Sequence, residues 1–191
     1  MTVEPERRVS LEEYLELERS SEEKHELLDG EVYAMGGASL RHNLVVTNLV
    51  AELRQKLRDS PCKVFPSDLR VQVQENRHYT YPDVTVVCDE PEFSSSGSEI
   101  LTNPTVVFEV LSDSTEAYDR GAKFEGYRHI PSLVEVLFVA QDRAAVELHA
   151  RQPDGDWLTT YLDDPGDTLV LSALGCELSV AEIYHKVGLP G

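Results

Sequence analysis

Apolar residues recur along this chain at two periods, and the changes of period mark out the elements. Leu11, Tyr14, Leu15 and Leu17 follow helical spacing, and Ser10-Leu-Glu-Glu13 has the spacing of a capping box. A helix is expected from Ser10 through about Arg19. HELLDGEVYAMGG comes next, where Asp29-Gly30 is a two-residue hairpin signal with a short strand expected on each side, and Gly36-Gly37 closes it. Leu40, Leu44, Val45, Leu49, Leu53 and Leu57 recur at helical spacing, which predicts the longest helix over Ser39 to Arg58, stopped by Pro61.

The period then falls to two. Leu69, Val71 and Val73 alternate with Asp68, Arg70, Gln72 and Gln74, which predicts a strand with one face buried. After a turn at Glu75-Asn76-Arg77, a second strand is expected over Tyr79 to Cys88. Residues 89–103 carry a serine-rich cluster and are expected to form a flexible surface loop. Pro104 to Ser112 is an apolar strand expected to be buried on both faces. A helix over Thr115 to His129 follows, then a hairpin of Leu133 to Ala140 and Ala144 to Arg151. Gly155-Asp156 and Gly166-Asp167 mark turns, and a short helix is expected over Val180 to Val187. No internal repeat is visible. The order implies an α/β (α+β) protein, a mixed sheet flanked by helices, in one domain over residues 1–191.

Composition adds little to this picture, but charge changes it. The chain is 41% hydrophobic and 27% charged. No apolar run approaches the ~20 residues of a membrane span, and the N-terminus lacks the apolar stretch of a secretory signal, so a cytoplasmic protein without membrane contact is expected. Cys62, Cys88 and Cys176 are odd in number and form no CxxC pair, which disfavours a zinc ribbon and suggests reduced thiols. The formal net charge is −18. That argues against a protein that grips phosphates non-specifically, and leaves room for an enzyme whose metal ions neutralise its site.

Three strand segments carry a carboxylate: Asp68 opens DLRVQV, Asp83 follows Pro82 in YPDVTVV, and Glu109 lies inside VVFEVLS. A solvent-facing Glu109 would predict polar residues at 107 and 111, which share its face, yet they are Val and Leu. A carboxylate buried in such a run costs several kcal/mol unless a cation or hydrogen bonds compensate. Carboxylates converging from adjacent strands suit Mg²⁺ or Mn²⁺. The carboxylates of Asp83 and Glu109 are therefore expected on adjacent strands, within about 5 Å of each other.

YPDVTVV, VVFEVLSDST and AYDRGAKFEGYRHIPSLVEVLFV together resemble the restriction-endonuclease proteins of Uma type, long classed as a domain of unknown function, in the PD-(D/E)XK nuclease superfamily. The likeness runs from SLEEYLELE to the final helix. It implies a restriction-endonuclease-like fold and a metal-dependent endonuclease that hydrolyses phosphodiester bonds in DNA. It also implies a homodimer. Asp83 and Glu109 match the metal-binding Asp and Glu of that pattern, whereas position 111, where the lysine is expected, is Leu. The resemblance puts Lys123, on the following helix, in that role. Asp119, Lys123 and Tyr127 recur at i, i+4 and i+8, a stripe that could reach Glu109. Asp113 stands where such proteins usually carry Pro. Asp68, which opens a strand expected beside that of Asp83, and Glu31 are further candidate metal ligands, Glu26, His42, Asp119 and Tyr127 are secondary candidates, and Arg41, Arg70 or Arg120 could contact phosphate. Two other functions compete: a catalytically degenerate nuclease fold used as a binding or assembly module, and a metal enzyme acting on a smaller phosphate ester.

Overall fold

The capping box forms as its spacing requires. In the computed structural model, which describes residues 8–96 and 99–189, Ser10 accepts from the Glu13 N–H, the Glu13 carboxylate reaches back to the Ser10 N–H, and helix α1 runs over Leu11–Ser20. Asp29 and Gly30 both adopt positive φ, as a tight hairpin turn demands, and join β1 (His25–Leu28) to β2 (Glu31–Ala34). Ser39 caps α2 (Leu40–Lys56), which buries Val45, Leu49 and Leu53.

One segment departs from expectation and shapes the whole molecule. Residues 79–88 do not form a single strand. β5 (His78–Thr80) belongs to a five-stranded sheet with order β2-β1-β5-β4-β7, where β4 is Arg70–Gln74 and β7 is Ile100–Leu101. After Tyr81-Pro82-Asp83 the chain enters β6 (Val84–Val87) of a second, six-stranded sheet. Pro82 has no N–H to give a ladder, so the strand breaks there and changes sheet. The second sheet also contains β3 (Lys63–Pro66), β8 (Val106–Leu111), β9 (Glu135–Ala140), β10 (Val146–Arg151) and β11 (Trp157–Leu162). Its order is β11-β10-β9-β8-β6-β3, with β8 and β9 parallel and the other pairs antiparallel. The periodicity gives no sign of β3. β7 forms inside the segment expected to be a loop, of which residues 97–98 lie outside the described part. The first seven residues, part of the N-terminal stretch read for a secretory signal, also lie outside it.

Both faces of the six-stranded sheet are covered. On one, Val84, Val86, Val106, Phe108, Val110, Leu137 and Val139 pack with α2, with the hairpin β12 (Thr168–Leu171) and β13 (Cys176–Ser179), and with α5 (Val180–Ile183). On the other, Val107, Leu111, Val136 and Phe138 pack with Tyr127, Ile130 and the β4 residues Val71 and Val73. A third cluster seats α1 on the five-stranded sheet through Tyr14, Leu27, Tyr79 and Ile100. The helix expected over 115–129 is present in three pieces: α3 (Glu116–Tyr118), a π-helical turn (Asp119–Lys123) and α4 (Phe124–Tyr127). Gly126 lets it lie close to the first sheet, since a Cβ there would sit 2.6 Å from Val73 Cγ1 and 2.7 Å from His78 Nδ1.

The cysteine expectation is corrected. Cys62 and Cys88 are joined by a disulfide, and only Cys176 is free. They flank β3 and β6, whose register pairs Lys63 with Val87 and so brings the next positions out, 62 and 88, opposite each other. Residues 26 apart in sequence give no hint of this. Among the described residues no helix is long and apolar enough to cross a membrane.

Candidate active site

Antiparallel pairing sets Val84 against Phe108, and continuing that register places Asp83 across from Glu109. Asp83 thus immediately precedes the strand that pairs with the one carrying Glu109, and the Val110 N–H donates to Asp83 Oδ2 at 2.7 Å. Glu109 is 3% exposed. It faces the side of the sheet covered by the broken helix, where the π turn directs Lys123 inward. Lys123 Nζ lies 3.1 Å from Glu109 Oε1, 3.0 Å from Glu26 Oε1 and 3.6 Å from Asp119 Oδ1. The ammonium joins the two sheets, because Glu26 belongs to β1 and Glu109 to β8. The five-residue π turn widens the helix and inserts a residue, a distortion that often marks functional positions.

The remaining polar atoms are tied into the same network. Glu26 Oε1 accepts from the Thr80 hydroxyl and, at 3.1 Å, from the Tyr81 N–H. The Tyr127 hydroxyl donates to Glu109 Oε1. Tyr118 lies under Lys123, with Nζ 5.8 Å from its ring centre, and its hydroxyl is 3.3 Å from His78 Nε2. His42 Nε2 lies 3.2 Å from Asp83 Oδ1, while His42 Nδ1 is buried without a hydrogen-bond partner. Asp83 and His42 are the most open members, each with 15% of its side chain exposed, against 4–7% for Glu26, Glu109, Asp119 and Lys123. Access from solvent is therefore on the Asp83 side.

Proton affinities follow from this crowding. Burial pushes the Glu109 carboxyl well above the usual range; Lys123 opposes that, and Asp119 and Asp83 add to it. Burial also pushes Asp119 up, against the pull of Lys123. Glu26 goes the other way. Burial would raise it, but Lys123, Thr80 and the Tyr81 N–H together bring it below the ordinary value. Burial disfavours the Lys123 ammonium, yet Glu109 and Glu26 outweigh that and hold it well above its ordinary value. Glu26 and Lys123 are thus a charged pair, and Glu109 is the carboxyl that most readily takes a proton.

Three carboxyl groups (Glu26, Glu109 and Asp119) meet one ammonium, with Asp83 across from Glu109, and that excess of acid suits a hard divalent cation. Among the described residues no three of His, Cys, Asp and Glu are placed so that together they could hold a metal ion. Mg²⁺ commonly takes only one or two carboxylates and fills its shell with water and substrate phosphate. Asp83 and Glu109 can supply such a pair.

Several expected residues lie elsewhere. Asp68 is 80% exposed at its side chain and pairs with Lys24; it does not lie beside Asp83 as expected, because the change of sheet after Thr80 separates them. Glu31 is exposed on the edge strand β2, accepts from the Tyr33 hydroxyl and stays outside the Lys123 cluster. Neither is brought to the carboxylate pair. Arg70 is bound to Glu18 at 2.9 Å and to the Tyr81 hydroxyl at 2.8 Å, and Arg120 to Glu116 and Glu147. Arg41 has no carboxylate partner among the described residues. Asp113 is exposed in the turn before α3. Sequence reasoning missed Thr80 and Tyr118. Tyr118 precedes Lys123 by five positions, a spacing that shares a face only in a π turn.

The mixed sheet, the broken helix and this buried acid–lysine cluster define a nuclease-type α/β architecture. A solved structure described as a "putative nuclease belonging to DUF820" from Anabaena variabilis has the same fold, with a TM-score of 0.76 at 18% identity, covering 94% of this chain and 99% of that one. The chain belongs to the Uma2 family, described as "Putative restriction endonuclease", whose model matches residues 11–181. It is 40% identical over 178 residues to the uncharacterized protein slr1290 of Synechocystis, covering 93% of this chain and 92% of that protein. It is 39% identical over 150 residues to sll1609 of the same organism, covering 78% and 85%.

Proposed function

We propose that this protein is a metal-dependent endonuclease that hydrolyses phosphodiester bonds in DNA. The observation that carries this reading is the Lys123 ammonium, 3.1 Å from Glu109 on the strand beside Asp83. Asp83 and Glu109 would hold Mg²⁺ or Mn²⁺. The bound ion would supply charge stabilisation at the phosphodiester and a more acidic water. Lys123 keeps its proton in this surrounding, so it serves as a cation that orients the attacking water and steadies the charge developing on the phosphate. Glu26 and Asp119 hold that ammonium in place. His42 and the Val110 N–H fix the rotamer of Asp83. A homodimer would carry two such sites, one for each strand of a duplex.

A second reading has its own support. Lys123 is already met by three carboxyl groups, so the cluster could be a self-sufficient structural lock in a binding or assembly module. Plasmid nicking with Mg²⁺ and Mn²⁺ separates the two, comparing wild type with Asp83→Asn and Glu109→Gln. Metal-dependent nicking lost in both variants supports the nuclease. Nicking by all three alike would expose a contaminant and sink it. No nicking, together with no Mn²⁺ binding by calorimetry, would favour the module.

A further inference from the structure

The mouth of the cluster carries an aromatic surface that neither the metal pair nor the lysine uses. β1 and β2 pair in register with Glu26 opposite Tyr33, and directly opposed residues project from the same face of a sheet. Tyr33 is therefore beside Glu26 at the rim. Its ring stacks on Tyr118, with centres 5.9 Å apart and planes inclined by 26°, and Tyr118 in turn lies under the Lys123 ammonium. Tyr33 remains 44% exposed. β2 is an edge strand, and residues 36–40 beyond it are nearly all exposed, with open space around Gly36 and Gly37 and Leu40 exposed at the start of α2. Along this exposed segment the chain runs from Tyr33 to His42, which contacts Asp83.

We propose that the Tyr33–Tyr118 stack is a platform for an unpaired nucleobase, and that the site acts on single-stranded or locally unpaired DNA in preference to duplex. The inference rests on the nuclease reading for its substrate and on the rim geometry for its specificity. Charge decides between the two forms of DNA. Duplex affinity comes chiefly from cations placed along the phosphates. Here the net charge is −18, Arg70 and Arg120 are bound to carboxylates, and Glu31 stands two residues from Tyr33. A single strand offers unpaired bases, and stacking on an aromatic ring tolerates any sequence and adds affinity that a duplex, with its bases already stacked, cannot draw on. Arg41, without a carboxylate partner among the described residues, directly precedes His42 in the first turn of α2.

The test uses a single-stranded oligodeoxynucleotide with one 2-aminopurine, and the same strand annealed to its complement, in Ca²⁺ so that binding is read apart from cleavage. Wild type should bind the single strand more tightly and quench the 2-aminopurine. Tyr33→Ala should weaken that binding about five- to hundredfold and abolish the quenching, while Tyr33→Phe keeps both. Tyr33→Leu, which still covers Tyr118, should bind like Tyr33→Ala. If it binds like wild type, the ring only shields the core and the proposal fails. Tighter binding of duplex than of single strand by wild type also overturns it. Metal-dependent nicking that Asp83→Asn abolishes but Tyr33→Ala leaves unchanged would refute the platform and leave the nuclease standing. Quenching without cleavage by any metal would do the reverse.

Discussion

Removing the Lys123 ammonium offers a direct measure of how the cluster is held. Lys123→Met keeps nearly the same volume and leaves Glu26 and Glu109 buried with no cation at 3.0 and 3.1 Å. Breaking a buried ion pair from one side typically costs about 3–5 kcal/mol, because the remaining charge is stranded. For a chain of 191 residues that lowers the melting temperature by about 6–20 °C. The loss should grow with pH. Without the cation Glu26 rises above the ordinary 4.5 and Glu109, already above it, rises further, so the folded variant binds more protons than the unfolded chain. Its stability is then highest below about pH 4.5 and falls as pH rises through the folded-state values. Urea unfolding followed by circular dichroism at pH 5 and pH 8 measures both effects. Adding Glu109→Gln to Lys123→Met should restore part of the stability at pH 8. A loss below about 1 kcal/mol at pH 8, or a larger loss at pH 5, would refute the account of a buried cation holding two sheets together.

Other outcomes follow from the same structure. Gly126→Ala should destabilise by about 1–3 kcal/mol in urea unfolding, since its methyl would overlap Val73 and the buried His78 ring. Because burial raises the Glu109 carboxyl, Mn²⁺ binding should displace a proton and tighten as pH rises, which calorimetry in buffers of different ionisation enthalpy would show. His42→Leu should weaken Mn²⁺ binding about 10- to 100-fold by freeing the Asp83 rotamer, with little change in the melting curve. Thiol titration under denaturing conditions should find one reactive cysteine before reduction and three after. Reducing the 26-residue link should cost about 3.5 kcal/mol in the chain-entropy account.

How much of this is legible in the sequence depends on whether the governing interaction is local. Capping at Ser10 and Ser39 and the turn at Asp29-Gly30 involve neighbours a few residues apart, and they form as read. Glu109 is legible because Val107 and Leu111 betray a buried face. The break at Pro82 is not: Tyr79 to Cys88 has strand propensity throughout, and only tertiary pairing reveals that its halves join different sheets. The expected neighbourhood of Asp68 and Asp83 fails for the same reason. The π turn is hidden because its sequence suits an α-helix equally well. The Cys62–Cys88 bond depends on the pairing of β3 with β6, and β3 itself leaves no periodic trace.

The three-residue crossing at Tyr81-Pro82-Asp83 has an implication for how this molecule can vary. On one side of it Thr80 and Tyr81 secure Glu26; on the other, Asp83 faces Glu109. Inserting or deleting one residue there would reverse which side chains point inward along β6, because a strand alternates every residue. Residues 94–96, of which Ser95 and Ser96 are exposed, can absorb changes in length without disturbing the cluster. The crossing cannot, so length changes among descendants of this chain should collect in the former and be absent from the latter.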